Sequence, residues 1–184
     1  MIHTAGAYQR IIDDTRLWVE RAVIGLNLCP FAKAVQVKQQ VRYAASDATE
    51  AEGVLADLED ELLLLSQADP EQIDTTLLIL PDALEDFYEF NDFADLSDRL
   101  LKRMRLVGEL QVATFHPAFQ FADTEPDDIE NCTNRSPHPI LHLLREDSID
   151  RAVEAFGDPA EIYEKNIDTL RRLGREGWRK LMAG

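Results

Sequence analysis

Cysteine is scarce in this sequence, and long apolar runs are absent. The 184 residues contain two cysteines, Cys29 and Cys132, which do not form a C-x-x-C pair. They provide no disulfide framework and are expected to be free thiols in a reducing compartment. No apolar run approaches the ~20 residues of a transmembrane helix, and residues 1–18 lack the basic-then-apolar order of a secretory signal. These absences predict a cytoplasmic protein that does not bind membranes.

Positive charge is missing from the middle of the chain. The formal net charge is -16, and a protein this acidic repels nucleic acid phosphates, so nucleic acid is not an expected partner. Residues 43–98 contain seventeen Asp and Glu and no Lys or Arg. This segment is expected to form one acidic surface. Such a surface either keeps the protein soluble or binds a basic protein partner, and the sequence leaves both alternatives open.

Familiar catalytic and phosphate-binding motifs are also missing. The chain has no Gly-rich phosphate loop, dinucleotide fingerprint, nucleophile elbow or H-E-x-x-H sequence. Any chemistry is therefore expected to be general acid–base catalysis or anion binding. Whether the protein is an enzyme, and which cofactor it would use, stays open.

Hydrophobic periodicity predicts helices that alternate with four strands. The predicted helices run over 7–26, from Asp47 to about Leu65, from Asp82 through Leu101, from Asp147 or Ser148, and from Asp158 through Leu181. The predicted strands lie at 35–44, 75–81, 110–116 and 140–145.

The order of these elements predicts the sheet. Residues 75–81 are apolar on both faces and are expected in its centre, whereas residues 35–44 alternate between apolar and polar and are expected at an edge. Helical connections predict parallel pairing of the first strands. The helix-free connection to 140–145 predicts that the fourth strand is antiparallel to the third. The expected fold is a single α/β domain over residues 1–184, with a mixed four-stranded sheet covered by helices.

A long connection, residues 117–139, separates the third and fourth strands. Structureless connections beyond ~15 residues are usually functional or disordered. This one contains Phe119 and Phe121, which favour burial, and prolines on both sides of His138, which restrict its backbone. A defined shape is therefore expected. Because the connection leaves the carboxyl end of a strand, where open α/β sheets bind ligands, it is the predicted functional site.

The candidate functional residues lie in or beside this loop. His116 ends the third strand and is the predicted proton carrier, with Asp128 as its catalytic carboxylate. Arg135 is the only basic residue of the loop and could hold a carboxylate or phosphate, with Asn134 and His138 as further ligand-binding residues. His116, Asn134 and Arg135 are expected to meet around one pocket at the carboxyl edge of the sheet. The predicted function is binding or acid–base conversion of a small anionic molecule. The alternative for Arg135 is a structural ion pair with a loop carboxylate.

Histidine and cysteine leave further alternatives open. A metal site could combine His116, a later histidine and a carboxylate. His138 and His142 would both reach one ion only on a helix, because four residues of a strand span ~13 Å; otherwise His142 is expected to be hydrogen-bonded in the core. Cys29, just before Pro30, is either the N-cap of a helical turn that stabilises its thiolate or a buried structural thiol.

Four segments are specific enough to carry a family resemblance: IGLNLCPFAKAVQVK, ATFHPAFQFADTEPDDI, TNRSPHPILHLLRE and IYEKNIDTLRRLGREGW. Together they resemble the bacterial domain-of-unknown-function 1415 family (DUF1415), over nearly the whole chain. The resemblance implies a soluble single-domain protein, and it supplies no activity, cofactor or catalytic residue. An aromatic residue commonly occupies the place of Cys132 in the family pattern, which argues against a chemical role for this thiol.

Overall fold

The computed structural model describes residues 5–183, whose four strands form one sheet. The strands are β1 (Val41–Ala45), β2 (Thr75–Ile79), β3 (Leu110–Phe115) and β4 (Ile140–Arg145). Their order is β1-β2-β4-β3, with β1 parallel to β2 and β4 antiparallel to both of its neighbours. The structure therefore confirms the mixed four-stranded sheet, the central position of β2, the edge position of β1 and the antiparallel pairing of β3 with β4.

Helices cover both faces of this sheet. They are α1 (Ala5–Trp18), the π-helical segment Val19–Ile24, α2 (Ala32–Val37), α3 (Ala51–Gln67), α4 (Phe87–Met104), the 3₁₀ helix Ile129–Asn134, α5 (Glu146–Phe156) and α6 (Pro159–Ala183). One face packs against α1, its π-helical continuation and the end of α6, and the other packs against α3 and α4. In the described part of the chain, no helix combines the length and apolar character needed to cross a membrane.

The core follows from alternation along β2 and from the apolar stripe of α3. Leu77 and Ile79 face α1, while Leu78 faces α3 and α4, as expected for a strand with helices on both sides. Burial of each such side chain contributes about 1.5–3 kcal/mol, so these two elements hold the centre of the fold. The buried stripe of α3 consists of Val54, Leu58, Leu62 and Leu65.

The predicted strand at 35–44 is wrong in its first half, which belongs to α2. Val37 is 74% exposed, so the alternation of valines there does not mark a half-buried strand. The helix ends where Gln39 adopts a left-handed conformation with φ 58°. The Gln40 N–H then donates to the Val35 carbonyl oxygen at 2.9 Å. Because the helix closes in this way, the strand begins only after Gln40.

Two predicted helix starts are also wrong, because each helix begins further along the chain. The predicted cap of α3 is Asp47, but the helix begins after Glu50 and has no side-chain cap. The predicted cap of α4 is Asp82, but the helix begins after Asp86, whose carboxylate accepts hydrogen bonds from the N–H groups two and three residues further on. Leu84, with φ 55°, shapes the turn that precedes this start. Asp82 and Asp86 both suit an N-cap, and the conformation of the turn between them places the start of α4 after Asp86.

The sheet topology places the candidate loop at one edge. Since β2 and β3 are both antiparallel to β4, they run in the same direction, and the carboxyl ends of β1, β2 and β3 lie at the same edge. The loop 117–139 leaves and returns at this edge, as predicted. It is not entirely irregular, because it contains the 3₁₀ helix Ile129–Asn134, which no periodicity in the sequence indicates.

Candidate functional site

One buried asparagine organises the loop. Asn131 has no exposed surface, and its Oδ1 accepts hydrogen bonds from the Phe121 N–H at 3.0 Å and the Thr124 hydroxyl at 2.9 Å. Its Nδ2 donates to the Glu125 carbonyl oxygen at 2.8 Å. Because a buried amide must satisfy its hydrogen bonds inside the protein, Asn131 holds the 3₁₀ helix and the preceding turn together.

Two aromatic residues attach the loop to the helices beside it. The ring of Phe119 lies 5.5 Å from that of Phe87 in α4, and the ring of Phe121 lies 5.1 Å from that of Tyr163 in α6. The two loop phenylalanines also contact each other, with ring centroids 4.9 Å apart. The contacts of Phe121 with Phe119 and Tyr163 are edge-to-face, and such contacts add about 0.5–1.5 kcal/mol each beyond area burial. The loop therefore bridges α4 and α6, and both phenylalanines, which were expected to be buried, are partly buried.

Arg135 ties distant parts of the loop backbone together. Its Nε donates to the Phe119 carbonyl oxygen at 3.0 Å, and its Nη2 donates to the Pro126 carbonyl oxygen at 2.6 Å. Both acceptors are uncharged, and a guanidinium has five N–H donors. These bonds orient the side chain without neutralising its charge.

The last part of α6 faces the loop. At Gly174 the helix is interrupted by φ 69° and ψ 172°, a conformation that glycine adopts at no steric cost. The segment that follows carries Arg175, Trp178, Arg179 and Met182 at helical spacing i, i+3, i+4 and i+7. This spacing places the four side chains on one face, and all four line the same cavity.

The loop and the end of α6 border a cavity of about 510 Å³. We call it the arginine cavity, because Arg135, Arg175 and Arg179 all line it. Its volume lies within the ~300–1,000 Å³ that small-molecule sites commonly occupy. Its apolar lining consists mainly of Pro117, Ile129, Pro137, Trp178 and Met182.

Positive charge prevails in the arginine cavity. Arg175 donates to the Asp127 carbonyl oxygen at 2.6 Å, and its Nη1 is 4.0 Å from the Asp127 carboxylate. The Asp128 carboxylate accepts a hydrogen bond from the Glu125 N–H at 2.8 Å. Within residues 5–183, the Arg179 guanidinium has no hydrogen-bond or ion-pair partner. Three guanidinium groups and two carboxylates line the cavity, so it is locally positive in a protein whose net charge is -16.

His116 lies outside the lining of this cavity. The residue is 1% exposed, its Nε2 bonds to the Leu84 carbonyl oxygen at 3.2 Å, and its Nδ1 accepts from the Ala118 N–H at 3.0 Å. The ring packs against Phe87 and Phe90, with centroids 5.3 and 5.0 Å away. Burial lowers the pKa of the imidazole. Both ring nitrogens are therefore engaged inside the protein, which favours a neutral structural histidine.

Asn134 holds the return of the loop to the sheet. The Asn134 carbonyl oxygen accepts from the His116 N–H at 3.1 Å, and its Nδ2 donates to the Thr114 carbonyl oxygen at 3.2 Å. Asn134 thus continues the hydrogen bonding at the end of β3. Burial lowers the pKa of His138, and nearby carboxylates on α1 and in the turn after β2 oppose this shift.

The structure separates the predicted site residues into two groups. Arg135 and Asp128 line the arginine cavity, whereas His116, Asn134 and His138 lie outside its lining. The arginine cavity therefore does not bring together His116, Asn134 and Arg135, which were expected to meet around one pocket.

Metal binding has no cluster to support it in the described residues. Within residues 5–183, no group of three or more His, Cys, Asp and Glu side chains is arranged to hold an ion. His142 lies in β4, and its Nε2 is 2.8 Å from the Thr75 hydroxyl, as expected for a histidine that is hydrogen-bonded in the core.

Both cysteines are free thiols that pack in apolar surroundings. Burial raises the pKa of the Cys29 thiol, and it also raises that of Cys132, where the charge of Arg135 opposes the shift. The helix α2 begins after Phe31, and hydrogen bonds from the backbone N–H groups of Phe31 and Ala32 oppose the rise in the pKa of Cys29. These features favour structural thiols over reactive thiolates.

The residues of α6 are the part of the site that the sequence interpretation missed. Arg175, Trp178, Arg179 and Met182 form a visible helical face, R-x-x-W-R-x-x-M. Nothing in the sequence connects this face to the loop. The connection comes from packing, in which Cys132 of the 3₁₀ helix shares a core cluster with Trp178.

Comparison with known proteins identifies the family to which this chain belongs. Its sequence matches the family described as "Protein of unknown function (DUF1415)" over residues 10–180, which confirms the resemblance of the four segments. No curated protein and no solved structure matches the chain. The family description names no activity, so the function has to be argued from the site.

Proposed function

We propose that the protein binds a small anionic molecule, a carboxylate or phosphate, in the arginine cavity. The observation that carries this proposal is the convergence of Arg135, Arg175 and Arg179 on one cavity of about 510 Å³, in a chain with a net charge of -16. Arginine forks match the geometry of carboxylate and phosphate oxygens. A bound anion would balance the local excess of positive charge.

The hydrogen bonds of the arginines support this role. Arg135 and Arg175 donate to backbone carbonyl oxygens, which orients the guanidinium groups. The charge of Arg135 is left available, whereas Arg175 also has the Asp127 carboxylate 4.0 Å away. Arg179 has no partner within residues 5–183 and is exposed at the cavity. Two oriented cations and one free cation provide a site that needs little reorganisation to receive an anion.

Acid–base chemistry at His116 is not part of this proposal. Its side chain is buried, and both ring nitrogens are hydrogen-bonded to the protein backbone. A general base must reach the proton that it removes within hydrogen-bond distance. The geometry therefore supports binding, and it does not support His116 as a proton carrier for a molecule in the arginine cavity.

The proposal can be tested by calorimetric titration with methyl phosphate and phenyl phosphate. Arg179→Gln is the informative variant, because Arg179 makes no hydrogen bond or ion pair within the described residues that the substitution would remove. A hydrogen bond to a charged group contributes about 1.5–3 kcal/mol, so we expect the variant to weaken binding at least about tenfold.

Lys180→Gln is the matched control. It removes one positive charge at the next position of the same helix, where Lys180 pairs with the exposed Glu176 and does not line the cavity. We expect this variant to bind both esters like the wild-type protein. If neither ester produces heat that depends on Arg179, the arginine cavity is not an anion site.

A further inference from the structure

The arginine cavity is larger and more apolar than an anion alone requires. We infer that its ligand carries the anionic group on a planar, largely apolar ring, which stacks against Trp178 while the arginines hold the charge. This inference rests on the proposed function and names the class of ligand. It is carried by three features of the cavity: its size, its apolar lining and the position of the indole.

The size of the cavity exceeds the needs of a simple inorganic anion. A water molecule takes ~30 Å³ of liquid volume, and the cavity offers about 510 Å³. An anion held by the arginines would leave most of this space to the rest of the ligand. Filling the space with apolar groups is favourable because it removes the apolar lining from water.

The lining of the cavity suits a ligand with a large apolar group. Pro117 and Pro137 line the cavity from the two ends of the loop, Ile129 from the 3₁₀ helix, and Met182 from the end of α6. Proline rings are stiff, and methionine adapts its shape to irregular partners. Together they form an apolar surface. A hydrophilic ligand would either lose water from its own polar groups there or leave water against the surface, and both are unfavourable.

Trp178 offers the cavity an aromatic ring close to two of the arginines. It is partly buried, packs with Leu28, Cys132 and Leu170 of the core, and also lines the cavity. Its neighbours on the same helical face are Arg175 at i-3 and Arg179 at i+1. A planar ring in contact with the indole would therefore keep an attached carboxylate or phosphate within the reach of these guanidinium groups.

The test compares three phosphate esters that carry the same charge on different bodies. Methyl phosphate carries only a methyl group, cyclohexyl phosphate carries an apolar ring that is not planar, and phenyl phosphate carries a planar aromatic ring. Stacking on an aromatic side chain contributes about 1–3 kcal/mol, so we expect the wild-type protein to bind phenyl phosphate about 5- to 150-fold more tightly than either other ester. The binding of all three is measured by calorimetry.

A variant assigns the preference to the indole. Trp178→Leu keeps an apolar side chain in the core and removes the ring. We expect it to lower the affinity for phenyl phosphate about tenfold more than the affinity for methyl phosphate. If this variant does not fold, quenching of tryptophan fluorescence in the wild-type protein replaces it, because Trp18 is 2% exposed and only Trp178 lines the cavity; phenyl phosphate should then quench more strongly than methyl phosphate.

The outcomes separate this inference from the proposed function. Equal affinity for phenyl and methyl phosphate, or for phenyl and cyclohexyl phosphate, would overturn the planar-ring ligand and leave the anion site intact. Absence of Arg179-dependent binding for every ester would overturn the anion site itself, and the ligand class with it.

Discussion

His142, a partly buried histidine, illustrates how the sheet controls a titratable residue. In β4, His142 Nε2 is 2.8 Å from the Thr75 hydroxyl, and the same hydroxyl donates to the Leu143 carbonyl oxygen at 2.7 Å. Since a hydroxyl has one hydrogen, it accepts from the imidazole, which we therefore infer to be protonated on Nε2. Burial lowers the pKa of His142 to about 4, so the ring is neutral near pH 7.

This neutral histidine predicts a loss of stability in acid. The folded pKa of about 4 lies below the ordinary value of ~6.5, so the unfolded chain binds more protons between these two pH values. The contribution of His142 is full above about pH 6.5 and is lost as the pH falls toward 4. Each pKa unit corresponds to about 1.4 kcal/mol. We expect the wild-type protein to lose roughly 1–3 kcal/mol through this residue.

The variant His142→Gln isolates the effect from the other groups that titrate in this range. Glutamine keeps an N–H donor for Thr75 and cannot become charged. Urea unfolding at pH 7 and pH 4.5 should show a smaller acid-induced decrease in the free energy of unfolding for the variant. Identical decreases in the two proteins would contradict a buried neutral His142.

At the scale of the elements, the break in α6 is what gives the arginine cavity its second wall. Gly174 has φ 69° and ψ 172°, and no neighbouring atom lies within 4 Å of the place where a Cβ would be. Its backbone conformation, rather than crowding, therefore requires glycine. The break sets the direction of the segment that carries Arg175, Trp178 and Arg179. A continuous helix would direct these side chains differently.

Gly174→Ala is expected to weaken both the fold and the site. A residue with a side chain in this conformation costs about 1–3 kcal/mol, either as strain or by straightening the helix. We expect a decrease of this size in the free energy of unfolding, together with weaker binding of phenyl phosphate under conditions where the variant is still folded.

Gly108 provides the matched control for this variant. It also has a positive φ, 85°, and the space that a Cβ would occupy is likewise free of other atoms within 4 Å, but it lies in the turn before β3. We expect Gly108→Ala to destabilise the protein without changing its affinity for the ester. If both variants bind phenyl phosphate with wild-type affinity, the break at Gly174 does not position the site.

At the scale of the whole molecule, charge is distributed unevenly. The segment 43–98 is expected from the sequence to form an uninterrupted acidic surface, but cations from outside it reach α3. Arg42 pairs with Glu61 at 2.7 Å, and Arg103 pairs with Glu59 at 2.6 Å. On α4 the exposed carboxylates are Glu89, Asp92, Asp95 and Asp98. Binding of a basic protein partner to this surface stays a prediction.

Repulsion among these carboxylates predicts that salt stabilises the protein. Raising NaCl from 0.1 to 1 M shortens the screening length from ~10 to ~3 Å, and we expect the free energy of unfolding to rise by about 1 kcal/mol, the scale of one close pair of charges in water. Asp92→Asn should act in the same direction at low salt, by about 0.2–0.5 kcal/mol, because Asp92 lies three residues from both Glu89 and Asp95. A decrease in stability with salt would mean that ion pairs such as Arg42–Glu61 outweigh the repulsion.

The sequence by itself determined the elements whose apolar pattern is strong. The strand 140–145 has the predicted bounds, the strands at 75–79 and 110–115 lie within the predicted ranges, and their order and connections were enough to predict a mixed sheet. Burial drives these assignments, since a strand that is apolar on both faces is stable only between two layers. The predicted loop is also present, and Arg135 was identified as its basic residue.

Only the tertiary structure decided what Arg135 faces. Arg175 and Arg179 lie about forty residues further along the chain, and their meeting with Arg135 depends on the left-handed glycine at 174 and on the packing of α6 against the 3₁₀ helix. The pattern of side chains along a helix defines its faces, but it does not specify which loop a face contacts. His116 shows the converse, because Leu84 and Ala118 occupy both of its ring nitrogens, and a carbonyl oxygen and an N–H of the main chain leave no mark in the sequence.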